Sequence, residues 1–264
     1  MMGRRTAEPD SSWDEVPRLI RAGMGLPQPW EKLFGPLRAT SSSGILAVGQ
    51  IGQTLDGRVA TLSGHSHYIN GSAGLDHLHR LRAVVDAVVV GAGTVRADDP
   101  QLTVRRVAGP NPVRVVLDPR GTLGGSARVF AADGTRRIVI TLDGTPTRSA
   151  AEIETIALAG STTRLEPAAI LDALSARGLR RVLIEGGART VSHFLGAGCL
   201  DRLHVMVAPV ILGSGLPGLE LPPVARMTDA LRAPVRVHLL DDEVLFDCDL
   251  SARRAAAGAA NKSR

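Results

Sequence analysis

Four short runs of consecutive apolar residues constrain the fold of this 264-residue chain more than any other feature. The runs are AVVVG at 87–91, VRVVLD at 113–118, RRIVIT at 136–141 and RRVLIEG at 180–186. Continuous apolar strands rich in β-branched residues are typical of a parallel sheet that is buried on both faces. A further run, ILAVGQIGQ at 45–53, predicts a buried strand of the same sheet.

Helical patterns separate these strands. The expected helices are 73–86, 149–159, 167–177 and one that follows Gly187. A short strand is expected at RVAT and another over 202–212. The segments PVRVHLL and VLFDCDL, joined around Asp241 and Asp242, predict an antiparallel hairpin. The alternation of strands and helices, closed by a hairpin, predicts an α/β fold with a mixed, largely parallel sheet.

The two ends of the chain differ from this pattern. Residues 1–40 are interpreted as an N-terminal extension whose apolar patches form short helices docked on the main body. Residues 41–44 are interpreted as a linker or an entry turn. The main domain is then expected over 41–252, and residues 253–264 are expected to form a flexible basic tail.

The net charge of +5 comes mainly from that tail. Without its four basic residues, the 31 Lys and Arg fall to 27, against 26 Asp and Glu. Aromatic residues make up only 3% of the chain, which argues against a base-stacking surface. We therefore expect no nucleic-acid partner. The alternative, a module that binds nucleic acid through the tail, would bind in a salt-dependent way and lose binding without residues 253–264.

Several other classes of protein are not expected. No apolar run reaches the roughly 18–20 residues of a membrane helix, and the N-terminus lacks the apolar core of a secretory signal. Cys199 and Cys248 form no C-x-x-C pair, so neither a disulfide framework nor a cysteine-rich zinc site is expected, and a cytoplasmic location is the default.

Two glycine-containing segments follow predicted strands. VLIEGGART places two glycines before a predicted helix, where free backbone N–H groups can bind phosphate. VVVGAGTVRADDP contains half of a dinucleotide-binding pattern, but Arg96 stands where the third glycine belongs. The alternative for both segments is a strand-to-helix turn that needs glycine only for its geometry.

Carboxylates and histidines are the other candidate functional groups. Asp98, Asp99 and Glu185 follow strands at the edge where open α/β sheets bind ligands, although a helix-capping role is an equal alternative for the two aspartates. His77 and His79, two apart on a helix, face different directions, and His65 and His67 supply too few ligands, so no metal is expected. The zinc-deaminase and G-x-S-x-G patterns are absent.

Taken in order, the segments resemble the reductase half of the bifunctional riboflavin-biosynthesis deaminase–reductase, the RibD C-terminal domain. They are TLDGRVAT (54–61), SGHSHYIN (63–70), LRAVVDAVVVGAGTVRADDPQLTVRR (81–106), PVRVVLDPRG (112–121), VLIEGGA (182–188) and VAPVILG (207–213). The resemblance implies a three-layer, dihydrofolate-reductase-like fold, NADPH as cofactor, and a homodimer. It also implies reduction of a phosphoribosylamino-pyrimidine of the 5-amino-6-(5-phosphoribosylamino)uracil type to its ribityl form.

The resemblance also assigns residues. Its cofactor positions are Gly52, Tyr68, Thr94, Asp98, Pro119, Gly187, Ala188, Arg189, Thr190, Val191, Ser192 and His193. Its substrate positions are Ser66, Arg82, Leu102, Arg105 and Glu185. Asp98 is the candidate for positioning or protonating the reacting group, because cofactor and substrate positions meet there. Arg82 and Arg105 suit a substrate phosphate. Arg120 is a candidate partner for the cofactor 2′-phosphate.

Two features depart from the family. The deaminase half is replaced by an unrelated extension of about 40 residues, and Gln50 stands where the family usually has Lys. Two alternatives therefore stay open at this point. Beside a reductase of the usual phosphoribosylamino-pyrimidine, they are a reductase of a related pterin or pyrimidine such as dihydrofolate, and a catalytically degenerate NADPH-binding protein.

Overall fold

The computed structural model describes residues 12–38, 44–66, 69–146, 152–160 and 164–262. Its strands are β1 (Leu46–Thr54), β2 (Arg58–Thr61), β3 (Ala87–Gly91), β4 (Val113–Leu117), β5 (Arg137–Leu142), β6 (Glu154–Leu158), β7 (Arg181–Ile184), β8 (Arg202–Ala208), β9 (Gly215–Pro217), β10 (Val235–Leu240) and β11 (Glu243–Asp249). Its helices are α1 (Val16–Arg21), α2 (Trp30–Phe34), α3 (Ser72–Val84), α4 (Ala92–Asp98), α5 (Pro167–Ser175), α6 (Ala188–Gly196) and α7 (Ser251–Lys262).

Nine of the strands form one sheet in the order β10-β11-β8-β1-β7-β3-β4-β5-β6. All neighbours from β8 to β6 are parallel, whereas β11 runs antiparallel to both β8 and β10. Strands β2 and β9 form a separate antiparallel pair. The predicted mixed sheet with a closing hairpin is confirmed.

The sheet lies between two layers of helices because each strand sends alternate side chains to opposite faces. Val88 and Val90 of β3 enter one core with side chains of α1, α2 and α3. Ala87 and Val89 enter the other core with side chains of α5 and α6. The expected three-layer architecture is therefore confirmed.

The four apolar runs form β3, β4, β5 and β7, but one predicted helix is wrong. Within 149–159, the described part contains β6, which pairs in parallel with β5 as the last strand of the sheet. Ile153 and Ile156, three residues apart, imitate helical spacing although both are buried in the strand region. A short apolar run does not distinguish a strand from a helix, and here sheet pairing decides.

The N-terminal segment 12–38 forms short helices that pack against the main body. Val16, Ile20, Phe34 and Leu37 are each at most 1% exposed. The guanidinium of Arg181, at the start of β7, donates to the carbonyls of Ile20, Leu37 and Arg38 at 3.3, 3.1 and 3.0 Å. This segment therefore belongs to the core of the molecule.

The end of the chain was not foreseen as a regular element. Residues 251–262 form α7, although we expected a flexible tail from residue 253. Arg254 ties this helix to the body, because its Nη1 lies 2.9 Å from Asp201 Oδ2 and donates to Cys199 O at 2.8 Å.

Parallel pairing brings the carboxyl ends of β1, β7, β3 and β4 to one edge of the sheet. The predicted site segments follow these strands. Among the described residues, no helix combines the length and apolar character needed to span a bilayer.

Candidate active site

Two glycine turns interlock at this edge. Gly186 and Gly187, between β7 and α6, have φ values of +73° and +25°, which favour glycine. A Cβ on Gly186 would lie 2.9 Å from Thr94 Cγ2, and one on Gly187 would lie 2.8 Å from Thr94 Oγ1. A Cβ on Gly91 would in turn lie 2.7 Å from Thr190 Oγ1. We call these two segments, 91–94 and 186–190, the glycine turns.

The start of α6 presents backbone donors beside these turns. Thr190 N and Val191 N donate to Gly187 O at 2.9 and 3.4 Å, so the N–H groups of Ala188 and Arg189 precede the bonded part of the helix. The exposed Gly187 leaves this helix start open. Unbonded N–H groups and the positive end of the helix dipole fit a dinucleotide pyrophosphate.

The later residues of the predicted cofactor run are placed differently. The side chain of Val191 lies in the core, and Ser192 Oγ accepts from Glu220 N at 2.8 Å. His193 is half-buried, and burial followed by the charge of Arg164 lowers its pKa. The side chains of Val191 and Ser192 therefore face the protein, and only the first turn of α6 is open toward the edge.

An open cleft of about 630 Å³ follows β4, β5 and β6. Pro119, Arg120 and Thr145 line it. The buried Asp118, which directly precedes Pro119, accepts from Leu123 N at 2.8 Å and from Thr122 Oγ1 at 3.1 Å. Arg120 is exposed at this cleft, as a partner for a phosphate of a bound nucleotide needs to be.

Arg82 and Glu185, both predicted to contact substrate, bind each other. Arg82 Nε donates to Glu185 Oε2 at 2.8 Å, and Arg82 Nη2 donates to Glu185 Oε1. The residues are 5% and 6% exposed. This two-pronged bond fixes the Glu185 carboxylate in one orientation immediately before Gly186.

More arginines gather around this pair. Arg105 lies within electrostatic reach of Arg82, Arg106 and Arg128, and burial, then Arg82 and Arg128, lower its pKa. Arg106 pairs with Asp76. In the part of the chain that the structure describes, no carboxylate forms an ion pair with Arg105 or Arg128. We call Arg82, Arg105, Arg106 and Arg128 the arginine group, and its excess positive charge suits an anion.

The positive charge of the arginine group also affects His79. Its Nδ1 accepts from Arg105 N at 3.1 Å, which requires a neutral ring nitrogen. Burial first, and then Arg82 and Arg105, lower the pKa of His79 to about 3. His77 points elsewhere, toward His204 Nδ1 at 3.0 Å, so the two histidines do face different directions. Among the described residues, no cluster of His, Cys, Asp or Glu is placed to hold a metal ion.

Asp98 is connected along the chain to both the glycine turns and the arginine group. It is the exposed last residue of α4, the helix that follows Gly91. The next residue, Asp99, accepts from Arg128 N at 2.8 Å through Oδ1, which connects the end of α4 to the arginine group. Leu102 has a φ of +55° and is only 1% exposed, so its side chain packs in the core rather than facing a ligand.

The remaining predicted residues are less closely connected. The open side of Gly52 is filled by Asn70, because a Cβ there would lie 1.8 Å from Asn70 Oδ1. Asn70 Nδ2 donates to the buried Glu243 at 2.7 Å. Ser66 is half-buried after β2, and Tyr68 lies outside the described residues.

Gln50 stands next to the buried ion pair. Gly49 of β1 pairs with Ile184 of β7, so the residues that follow them, Gln50 and Glu185, are neighbours across the two strands. Gln50 is 7% exposed. A lysine here would stand near the Glu185 carboxylate, a place in which Arg82 already supplies the positive charge.

This geometry agrees with comparisons to known proteins. A model of the RibD C-terminal domain matches residues 48–233. The chain belongs to the RibD C-terminal domain family. The resemblance drawn from the sequence is thereby confirmed.

Individual relatives of this family differ in how much of them the chain covers. It is 33% identical over 202 residues to the 2,5-diamino-6-ribosylamino-4(3H)-pyrimidinone 5′-phosphate reductase of Methanothermobacter thermautotrophicus, covering 74% of this chain and 93% of that protein. It is 38% identical over 168 residues to riboflavin biosynthesis protein RibD of Aquifex aeolicus, covering 62% and 46%.

A solved structure gives the same picture. The deaminase/5-amino-6-(5-phosphoribosylamino)uracil reductase of Thermotoga maritima superposes with a TM-score of 0.68 at 32% identity, covering 79% of this chain and 57% of that one. The chain thus spans about half the length of the RibD relatives.

Sequence reasoning missed several residues of this RibD-type site. His79, Thr103 and Arg128 hold or extend the arginine group, and Asn70 with Glu243 fills the space beside Gly52. Arg128 had a weak signal in the sequence, because it is a basic residue beside the apolar residues of ARVF, after the strand predicted at 113–118. Glu243 offered none, because its partner Asn70 lies 173 positions earlier in the chain.

Proposed function

We propose that this protein is an NADPH-dependent reductase that converts a phosphoribosylamino-pyrimidine to its ribityl form. One observation carries the proposal. Glu185, held by Arg82, directly precedes Gly186, so the arginine group and the glycine turns adjoin at one edge of the sheet. A site for a phosphorylated pyrimidine would then adjoin a site for a dinucleotide.

The cofactor would lie along the glycine turns. The N–H groups at the start of α6 would bind the pyrophosphate, with Thr94 and Pro119 beside it and Arg120 at the 2′-phosphate. The family implies further contacts from Gly52, Tyr68, Asp98 and the run from Gly187 to His193, of which only the first turn of α6 is open toward this edge. When bound, the reduced nicotinamide would supply a hydride.

The substrate would lie along the arginine group. Arg105 would bind its phosphate, and Glu185 would accept from pyrimidine N–H groups in the orientation that Arg82 fixes. Leu102 would contribute only backbone, because its side chain is in the core. Ser66 would contribute its hydroxyl. Asp98 would supply the proton that accompanies reduction of the ring-opened ribosyl imine.

The test is NADPH consumption, followed at 340 nm, by purified protein. The substrates are 5-amino-6-(5-phosphoribosylamino)uracil, its 2,5-diamino-pyrimidinone counterpart and dihydrofolate. Turnover of either phosphoribosylamino compound supports the proposal. Turnover of dihydrofolate alone would replace it with a pterin reductase. NADPH binding without any turnover would indicate a degenerate binding protein.

A second arm tests the cofactor. NADPH should be preferred to NADH, and Arg120→Ala should reduce that preference. Equal affinity of the parent for both cofactors would contradict the preference. Full discrimination by Arg120→Ala would contradict only the role of Arg120.

We further propose that the protein acts as a homodimer. On the sheet face that α5 and α6 cover elsewhere, the end strands expose Val235, Val237, Leu239 and Phe246 at 47%, 58%, 77% and 37%. Val237 pairs with Phe246, so these side chains form one continuous apolar face. An exposed apolar face on an edge strand is typical of a protein interface.

Light scattering of the eluted protein tests the dimer. The parent should have twice the mass of one chain, and Leu239→Glu should shift it toward the monomer. Met24→Glu, at an exposed apolar residue elsewhere, should leave the mass unchanged. A monomeric parent contradicts the proposal.

The two cysteines, both free, also fit the cytoplasmic location that we propose.

A further inference from the structure

The loop 103–111, which we call the arginine loop, carries Arg105 and Arg106 and is attached along α3. Arg82 Nη1 donates to Thr103 O at 3.1 Å, and Arg105 N donates to His79 Nδ1 at 3.1 Å. Arg106 Nη2 donates to Ser72 Oγ at 2.6 Å. All of these attachments lie on one side of the loop, on the helix that also carries Arg82.

The N-terminal segment 12–38 holds the far end of the same loop. The buried Trp13 donates from its indole Nε1 to Ala108 O at 2.8 Å. Gly109 packs so closely on α3 that a Cβ there would lie 2.5 Å from Ala83 Cβ and 3.6 Å from Pro17 Cγ. Arg21 Nη2 donates to Ala83 O at 3.2 Å, at the end of α3. The N-terminal segment thus fastens the junction between α3 and the arginine loop.

This attachment opposes the electrostatic repulsion between Arg105 of the loop and the other arginines of the group. Arg105 lies near Arg82, Arg106 and Arg128, and like charges at short range repel each other until an anion joins them. A loop that must be ordered on binding also loses affinity through its conformational entropy. An anchor outside the arginine group reduces both costs, because it keeps Arg105 in place before the ligand arrives.

The anchor lies outside the part of the chain that the family model matches. The family match begins at residue 48, whereas Trp13, Pro17 and Arg21 all precede it. We propose that the N-terminal segment, through Trp13, is a positioning element that holds the arginine loop so that Arg105 binds the substrate phosphate. This inference rests on the proposed function, because it assigns the loop to the phosphate of that substrate.

Trp13→Phe tests it, because the variant keeps an aromatic ring in the buried cluster but loses the indole N–H, together with part of the indole volume. The chain offers a matched control in Trp30→Phe. Trp30 packs against Trp13 with ring centroids 5.1 Å apart, but its Nε1 donates to Ser12 Oγ rather than to the loop. Both variants lose one indole hydrogen bond from the same aromatic cluster.

Trp13→Phe should raise KM for the phosphoribosylamino-pyrimidine about 3–10-fold, as expected for one neutral hydrogen bond. Its kcat and its KM for NADPH should stay within about 2-fold of the parent. Trp30→Phe should leave all three constants near those of the parent. Equal KM values for the substrate in the two variants would overturn the inference.

A titration with inorganic phosphate, followed by NMR at the Arg105 amide, separates the inference from the proposed function. Phosphate should bind Trp13→Phe about 3–10-fold more weakly than the parent or Trp30→Phe. This comparison holds even if the parent reduces no pyrimidine, a result that would contradict the proposed function alone. No phosphate binding by the parent, or equal binding by all three proteins, would overturn the inference.

A milder variant covers the case in which Trp13→Phe does not fold. Arg21→Gln removes the guanidinium bond to Ala83 O from an exposed residue. It should weaken phosphate binding about 2–3-fold. An unchanged phosphate affinity in a folded Arg21→Gln would overturn the inference in that case.

Discussion

The glycine turns and the arginine group meet at one edge of the sheet, yet they are built by different means. The glycine turns are made of backbone, and their shape depends on the absence of side chains at Gly91, Gly186 and Gly187. The arginine group is made of long charged side chains whose positions depend on partners such as Glu185 and His79. A substitution in the glycine turns should therefore act by filling space with a side chain, and a substitution in the arginine group should act by changing the charge.

The largest effect is expected at Asp98, at the end of the helix that links the two regions along the chain. Asp98→Asn removes the carboxyl proton donor while keeping the size of the side chain. We expect kcat to fall about 100-fold or more, as is typical for the loss of a general acid, with affinity for NADPH nearly unchanged. Steady-state kinetics and a melting curve measure this. A variant that turns over at the parent rate would remove Asp98 from the mechanism.

Gly187→Val tests the region that depends on space. A side chain there would approach Thr94 Oγ1 at 2.8 Å and fill the start of α6. We expect the Kd for NADPH, measured by fluorescence titration, to rise about 100-fold from the loss of the pyrophosphate contacts.

Gly178→Val is the control for Gly187→Val. Gly178 also has a positive φ, +77°, but no atom lies within 4 Å of its Cβ position. It should show the cost of backbone strain in its melting temperature and bind NADPH as the parent does. If both variants bound NADPH equally well, the glycine turns would have only a structural role.

Glu185→Gln tests the region that depends on charge. The amide keeps one acceptor but leaves the buried Arg82 without its counter-charge. We expect KM for the pyrimidine to rise about 10-fold and the free energy of unfolding to fall by about 1–3 kcal/mol. Kinetics and urea unfolding give the two values. The exposed Glu220→Gln should change neither, and a similar loss in both variants would exclude a specific role for the ion pair.

The smallest effect is a difference in pH dependence between the two regions. The pKa of His79 is lowered to about 3 in the folded protein, so the unfolded chain takes up a proton first as the pH falls below about 6.5. Stability is thus complete above pH 6.5 and declines by about 1.4 kcal/mol per pH unit below it from this residue.

His79→Gln should remove that contribution, because the amide oxygen accepts from Arg105 N without titrating. Urea unfolding at pH 5, 6 and 7 measures the slope for both proteins. Identical slopes would show that His79 is not the neutral partner of Arg105. NADPH binding through the backbone of the glycine turns should change little over the same range.

The same contrast explains what the sequence could predict. The strands β3, β4, β5 and β7 were predictable because a strand that is buried on both faces needs consecutive apolar residues. The glycine turns were predictable because glycine marks a backbone requirement directly. The helix expected over 149–159 was wrong because β6 has too few residues to show its period.

The arginine group was less accessible to sequence reasoning. Arg82 and Glu185 were both expected to contact substrate, but nothing in a sequence shows that residues 103 positions apart bind each other. Leu102 was expected to face a ligand, although its side chain is in the core. Charged and apolar side chains take their partners from the completed fold, so their contacts follow from the topology rather than from local pattern.

The contacts of Arg181 set an order in which the molecule can be completed during synthesis. Its guanidinium binds the carbonyls of Ile20, Leu37 and Arg38, which lie 161, 144 and 143 positions earlier. The N-terminal segment therefore leaves the ribosome long before the strand that satisfies its carbonyls. Contacts of such high sequence separation form late, so a nascent chain stalled before β7 has the carbonyls of Ile20, Leu37 and Arg38 without their guanidinium partner and its N-terminal segment incompletely fastened.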